Sequence, residues 1–120
     1  MIRIAAQILE TARARIKEVS VEDVQDLKTR KDLLILDVRE GEEHREGIIP
    51  GARCLPRGFL ELRIESLVPH RDRPLLLYCA GGARSALAAQ TLGEMGYEEV
   101  LSLRGGFKAW REAGQPVQLP

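Results

Sequence analysis

The sequence predicts an α/β domain with a mainly parallel sheet covered by helices on both faces, and three observations lead there. Short apolar runs alternate with segments of helical period five times along the chain, the pattern of βα units rather than of a sandwich or bundle. The clearest runs, Leu33 to Leu36 and Leu75 to Tyr78, are continuous rather than alternating, as strands buried on both faces require. Hairpin signals are missing between most of them, so successive strands connect through crossovers, which make parallel neighbours.

Taking the elements in order, Ile2, Ala5, Leu9, Ala12 and Ile16 are spaced three and four apart with Arg3, Gln7, Glu10 and Arg13 between them. That spacing predicts an amphipathic N-terminal helix of about four turns over residues 1–16, separate from a main domain over residues 17–120. Its apolar stripe serves either packing on its own domain or a dimer seam, so a monomer or a weak homodimer through this helix is expected. Lys17 to Ser20 reads as a brief strand. Ser20 then stands three residues before Asp23 as a capping pair, and Val21, Val24 and Leu27 give the next helix one apolar face.

The strand Leu33 to Leu36 ends in Asp37-Val-Arg-Glu40. In open parallel sheets the ligand crevice lies outside the carboxyl ends of the strands, which puts Asp37, Arg39 and Glu40 on the functional edge, either as ligand contacts or as a salt-bridged strand exit. Glu42 to Glu46 form a charged, solvated helical turn closed by Gly47, with His44 read as a surface histidine. After the turn Pro50-Gly51, Arg53 to Pro56 make a short strand containing Cys54, and Phe59, Leu60, Ile64, Leu67 and Val68 line a further helix. Val100 to Leu103 is the last strand. Gly105-Gly106 turns it into a final helix on which Phe107 and Trp110 share the core stripe.

The stretch between, Pro74-Leu-Leu-Leu-Tyr-Cys-Ala-Gly-Gly-Ala-Arg-Ser85, carries the chemistry. A strand ends on Cys79, a loop of small residues follows, and a helix over Ser85 to Met95, stopped by Gly96, comes next. Ala80, Gly81, Gly82 and Ala83 have too little bulk to prevent their amides from converging on one point, the Cys79 sulfur. A ring of N–H groups at a helix start holds an anion, and Arg84 adds a full positive charge. Such surroundings favour the thiolate, the nucleophilic form of cysteine. The alternative is an inert core cysteine, since free cysteine is among the most buried residue types.

Whole-chain totals narrow the function further. At 120 residues the chain makes one domain, with 44% hydrophobic and 30% charged residues. Its 18 basic residues balance 18 acidic ones, which argues against nucleic acid or a membrane surface as the main partner. The N-terminus lacks the uninterrupted apolar core of a signal peptide. Two cysteines, Cys54 and Cys79, make neither a disulfide framework nor a paired zinc spacing, so the reducing cytoplasm is the expected compartment and no cofactor or metal is called for.

The residues resemble the rhodanese-like sulfurtransferases over roughly Val19 to Val117. The resemblance rests on Leu36-Asp-Val-Arg-Glu40, Gly47-Ile-Ile-Pro-Gly-Ala52, Cys79-Ala-Gly-Gly-Ala-Arg-Ser85, and Gly96-Tyr97 followed by Leu103-Arg-Gly-Gly-Phe107, Trp110, Gly114 and Pro116-Val117. It implies a five-stranded parallel sheet flanked by helices. It also implies that Cys79 accepts a sulfane sulfur as a persulfide and passes it to a thiophilic acceptor such as cyanide or a thiol. Residues Ala80 to Arg84 would then cradle the persulfide, with Ser85 and Arg39 as further contacts. Where the family usually has histidine this chain has Ile48, and the helix before Lys17 lies outside the family core.

Two other classes compete. Cysteine phosphatases and arsenate reductases use a related Cys-to-Arg cradle, but four residues separate Cys79 from Arg84 here, whereas the phosphatase pattern has five and makes a wider ring. A non-catalytic binding, regulatory or sulfur-carrier module would keep the fold without turnover; binding and regulatory modules typically lose the cysteine that this chain retains.

Overall fold

The computed structural model describes residues 1–120. Five strands, β1 (Lys17–Val19), β2 (Leu34–Asp37), β3 (Arg53–Cys54), β4 (Leu75–Tyr78) and β5 (Val100–Leu103), form one sheet in the order β1-β5-β4-β2-β3. Every pairing is parallel. The helices are α1 (Ala5–Arg15), α2 (Val21–Leu27), α3 (Leu60–Leu67), α4 (Ala83–Glu94) and α5 (Gly106–Glu112), and 3-10 turns occupy Gly41–Glu46 and Arg57–Phe59.

Because side chains alternate across a strand, the central strands feed two cores. Leu36, Val38, Leu75, Leu77 and Cys79 pack with Leu60, Ile64, Ala88 and Leu92 of α3 and α4. Ile35, Leu76 and Tyr78 pack on the other side with Val21, Val24, Phe107 and Trp110 of α2 and α5. The continuous apolar strands and the two-sided cover are therefore as the sequence predicts. Trp110 is an anchor, buried, with its Nε1–H donating to the Pro116 carbonyl at 2.7 Å. Ser20 caps α2 by accepting from the Asp23 N–H, and the Asp23 carboxylate returns a bond to the Ser20 N–H at 3.0 Å.

Several boundaries differ from the sequence reading. The N-terminal helix spans Ala5–Arg15 rather than residues 1–16, with Ile4 at its N-cap. It packs along α4, burying Ala12, and leaves Ile2, Ile4 and Ile8 exposed. The small residues Ala86 and Ala89 of α4 are buried as well. Covered by the sheet on one side and α1 on another, α4 buries more of its circumference than a single amphipathic stripe would suggest. Phe59, expected on the buried face of α3, lies in the preceding turn and is exposed, with the Arg63 guanidinium 4.1 Å from its ring centroid.

At the carboxyl end of β2, Asp37 and Arg39 form a buried pair. The Asp37 carboxylate accepts from Arg39 Nη2 at 2.8 Å and Nε at 3.0 Å, and from the Tyr78 hydroxyl at 2.7 Å. Arg39 Nη2 also donates to the Gly47 carbonyl at 2.7 Å, and its guanidinium lies 4.3 Å from the Phe107 ring centroid. Burial works against the Arg39 cation, but the Asp37 hydrogen bonds and charge outweigh it and leave its pKa raised. Burial, then the neighbouring Asp37 charge, pushes the Tyr78 hydroxyl far up, so it stays a donor. These contacts tie the strand exit to the Gly41–Glu46 turn and to the Gly47 segment.

Candidate active site

Cys79 follows the last residue of β4, the middle strand, where the chain leaves the sheet toward α4. Its side chain is 1% exposed. The Sγ receives the Gly82 N–H at 3.1 Å and the Ser85 N–H at 3.4 Å, and lies 3.5 Å from the Ser85 hydroxyl. Gly82 makes this possible: its φ of +105° is a left-handed conformation suited to glycine, and it caps α4. The helix consequently starts at Ala83, two residues before the expected start at Ser85, because the left-handed cap lets the helix begin there. Ala83 and Arg84 belong to the first helical turn, and the free loop shrinks to Ala80, Gly81 and Gly82. Of the expected cradle, the amides of Gly82 and Ser85 reach the sulfur; those of Ala80, Gly81, Ala83 and Arg84 do not bond to it.

Behind the loop, Ser85 Oγ donates to the Gly82 carbonyl at 3.3 Å and shares a 2.8 Å hydrogen bond with Ser102 Oγ of β5. Both serines are fully buried. The sequence reading passed over Ser102; its signal is a lone hydroxyl inside the apolar run Val100 to Leu103, since a buried hydroxyl needs a partner.

The first turn of α5 completes the frame. The N–H of Phe107 donates to the Cys79 carbonyl at 2.8 Å and that of Lys108 to the Ala80 carbonyl at 3.0 Å. This approach leaves no room for a side chain at Gly106, whose φ is +59° and where a Cβ would meet the Cys79 carbonyl oxygen at 2.5 Å and the Ala80 carbonyl carbon at 2.7 Å. Gly106→Ala is therefore expected to destabilise the domain by about 2–3 kcal/mol and, by shifting the loop, to slow alkylation of Cys79 in the folded protein. Chemical denaturation and iodoacetamide kinetics check the two effects; unchanged values in both would show that α5 does not set the loop.

Arg84 points its charge at a carboxylate rather than at the sulfur. Nη1 and Nη2 donate to the two Glu43 oxygens at 2.7 and 2.9 Å. The Arg84 hydrogen bonds hold the Glu43 carboxyl at about 2, against an ordinary value of 4.5. Since that pKa is depressed by folding, the pair's contribution to stability is present above the ordinary carboxylate value and is lost only as pH falls toward 2. Glu43 itself is the third residue of the 3-10 turn, where its side chain also accepts from the Glu40 N–H at 2.9 Å. Sequence spacing had no means of pairing it with Arg84, 41 residues away.

Beside the loop lies a cleft of about 480 Å³ lined by Arg39, Glu43, Glu46, Ala80, Phe107, Lys108, Arg111 and Glu112. Arg39 forms part of this wall, with its guanidinium bonded to Asp37 and to the carbonyls of Glu43 and Gly47. Arg111 pairs with Glu46 at 3.4 Å. Lys108 is exposed and has no carboxylate partner.

His44 is not the surface histidine that the sequence suggested. Its side chain is 20% exposed and its Nε2 lies 3.6 Å from Asp37 Oδ2. The turn folds back over the β2 exit, which sequence order alone does not reveal. Cys54 is exposed as a residue, although partial burial of its sulfur and then the Asp37 charge raise its thiol pKa. Cys54 stands beside Asp37 of β2, and Asp37 beside Tyr78 of β4. Two strand spacings, about 9–10 Å, and the sheet itself thus separate it from Cys79, beyond the roughly 7 Å Cα reach of a disulfide.

Comparison with known proteins agrees with this architecture. The sequence profile of the rhodanese-like domain matches residues 20–113. A sulfurtransferase of Allochromatium vinosum is 39% identical over 106 residues, covering 88% of this chain and 97% of its own. The thiosulfate sulfurtransferase GlpE of Shewanella oneidensis is 39% identical over 97 residues, covering 81% of this chain and 94% of its own. Among solved structures, a Rhodopseudomonas palustris protein of unknown function, a possible tyrosine phosphatase, superposes with a TM-score of 0.91 at 36% identity over 98% of this chain and 96% of that one. A rhodanese-related protein from Thermoplasma volcanium superposes with a TM-score of 0.77 at 31% identity, over 87% of this chain and 99% of that one. With the sheet order, the cysteine at the end of the middle strand and a profile spanning most of its length, the chain belongs to the rhodanese-like domain family.

Proposed function

We propose that this protein is a sulfurtransferase that carries sulfane sulfur as a persulfide on Cys79. The observation that carries the reading is the Cys79 sulfur held at a strand end under the N–H groups of Gly82 and Ser85. In the first half-reaction the Cys79 thiolate attacks the outer sulfur of a donor such as thiosulfate. The donor S–S bond breaks, sulfite leaves with its electron pair, and Cys79 becomes the persulfide anion. In the second, an acceptor such as cyanide or a thiol attacks the outer sulfur; with cyanide, thiocyanate forms and the Cys79 thiolate returns. Thiolate attack on a sulfur with thiolate-like departure is ordinary exchange chemistry. Both enzyme forms are anions, so the same amides stabilise both and no general base is required. The two amides and short loop favour a single sulfur over a tetrahedral phosphate, which would need more converging donors. No helix is long and apolar enough to cross a membrane, and the reducing cytoplasm remains the proposed setting.

An anionic donor approaching through the cleft meets Arg84, Arg39 and Arg111 already engaged with carboxylates and Lys108 free. Lys108→Ala is therefore expected to raise the thiosulfate KM about two- to fivefold, the scale of one exposed charge, with kcat nearly unchanged. The difference should fade at high salt and Lys108→Arg should restore it. A KM independent of residue 108 and of salt would remove Lys108 from donor binding.

The direct test is intact mass after exposure to thiosulfate and, separately, to mercaptopyruvate. A gain of one sulfur atom, localised to the Cys79 peptide and discharged by cyanide, is the expected result. No gain with either donor would overturn the reading.

A further inference from the structure

On the sheet face opposite Cys79, the fold brings together three side chains that the sulfur chemistry does not use. Asp37 ends β2, Cys54 stands beside it on β3, and His44 reaches them from the turn above. One ligand atom from each lies within 4.8 Å of the other two. We propose that Asp37, His44 and Cys54 form a second site, for a borderline-soft divalent cation such as Zn²⁺.

His44 supplies the main observation. Its Nε2 is buried and has no hydrogen-bond partner. Buried polar atoms without partners are rare in folded proteins and point to a missing ion or water. Its 3.6 Å separation from Asp37 Oδ2 is long for a hydrogen bond. It matches the roughly 3.3–3.5 Å between two ligands of a tetrahedral zinc ion bound at about 2.0–2.2 Å. Thiolate and imidazole together select zinc and its softer neighbours over magnesium or calcium. Access is provided for: burial falls from Asp37 through His44 to the exposed Cys54, so an ion would enter past the thiol.

The same contacts limit the affinity. Asp37 Oδ2 already accepts from the Tyr78 hydroxyl at 2.7 Å and Arg39 Nη2 at 2.8 Å, and the Arg39 cation opposes a second positive charge nearby. His44 and Cys54 are therefore the strong ligands, Asp37 a weak third, and water fills the open position. Binding exchanges the Cys54 thiol proton for the metal, so one proton leaves for each ion bound.

The test uses Co²⁺ as a spectroscopic stand-in for Zn²⁺, on the full chain carrying Cys79→Ser so that the other thiol cannot bind the ion. One equivalent of Co²⁺ should produce a thiolate-to-cobalt charge-transfer band that Zn²⁺ displaces. Cys54→Ser should abolish the band, and His44→Ala should weaken binding at least tenfold. Absence of the band, or a band indifferent to either substitution, overturns the site. A measurement independent of these variants uses the unaltered protein. Zn²⁺ should protect Cys54 from iodoacetamide in peptide mapping, and protection confined to Cys79 counts against the proposal. Neither readout depends on sulfurtransferase activity.

Discussion

Replacing Cys79 by serine is expected to lower thiosulfate:cyanide sulfur transfer by about a thousandfold or more, the scale of removing an enzyme's nucleophile. The substitution is nearly isosteric, and the hydroxyl can still face the Gly82 and Ser85 N–H groups that now meet the sulfur. Stability should therefore change little. A serine hydroxyl stays protonated near neutrality and offers no sulfur nucleophile, so no persulfide can form. The intact mass after thiosulfate treatment should stay unshifted, where the unaltered protein is expected to gain one sulfur. Substantial turnover by the serine variant, with a cooperative unfolding transition like that of the parent, would move the chemistry away from Cys79. No alternative thiol is within reach, since Cys54 lies across the sheet and two strand spacings away.

Removing Asp37 is expected to have the largest effect on stability, a loss of about 3–5 kcal/mol on Asp37→Ala, because breaking a buried ion pair leaves its partner charge uncompensated. Asp37 is 0% and Arg39 1% exposed, so water cannot readily replace the carboxylate. The Tyr78 hydroxyl loses its acceptor at the same time, although it lies in the opposite core from Cys79. The damage should spread to the loop, because Arg39 also bonds the Glu43 and Gly47 carbonyls and Glu43 holds Arg84. Urea denaturation gives the stability change, and the Cys79 alkylation rate in the folded fraction reports the loop. A double variant, Asp37→Asn with Arg39→Gln, removes both charges and should recover part of the loss. If Asp37→Ala costs under about 1 kcal/mol, the pair is not the fastening of this strand exit that its burial implies.

The sequence by itself determined the elements and their order, for reasons local to the chain. Continuous apolar runs marked β2 and β4, Ser20 and Asp23 marked the start of α2, and paired glycines marked the turns before α4 and α5. The candidate nucleophile was legible because a cysteine at a strand end before small residues and an arginine is a local pattern. Tertiary structure decided how that pattern is used. The left-handed Gly82 set the start of α4 and with it which two amides face the sulfur. The Glu43–Arg84 pair, the Ser85–Ser102 hydrogen bond and the contact of Gly106 with the Cys79 carbonyl join residues distant in sequence. So does the meeting of Asp37, His44 and Cys54. Local periodicity reports a residue's own helix or strand, whereas these charges and hydroxyls acquire partners only when strands far apart in sequence become neighbours in the sheet.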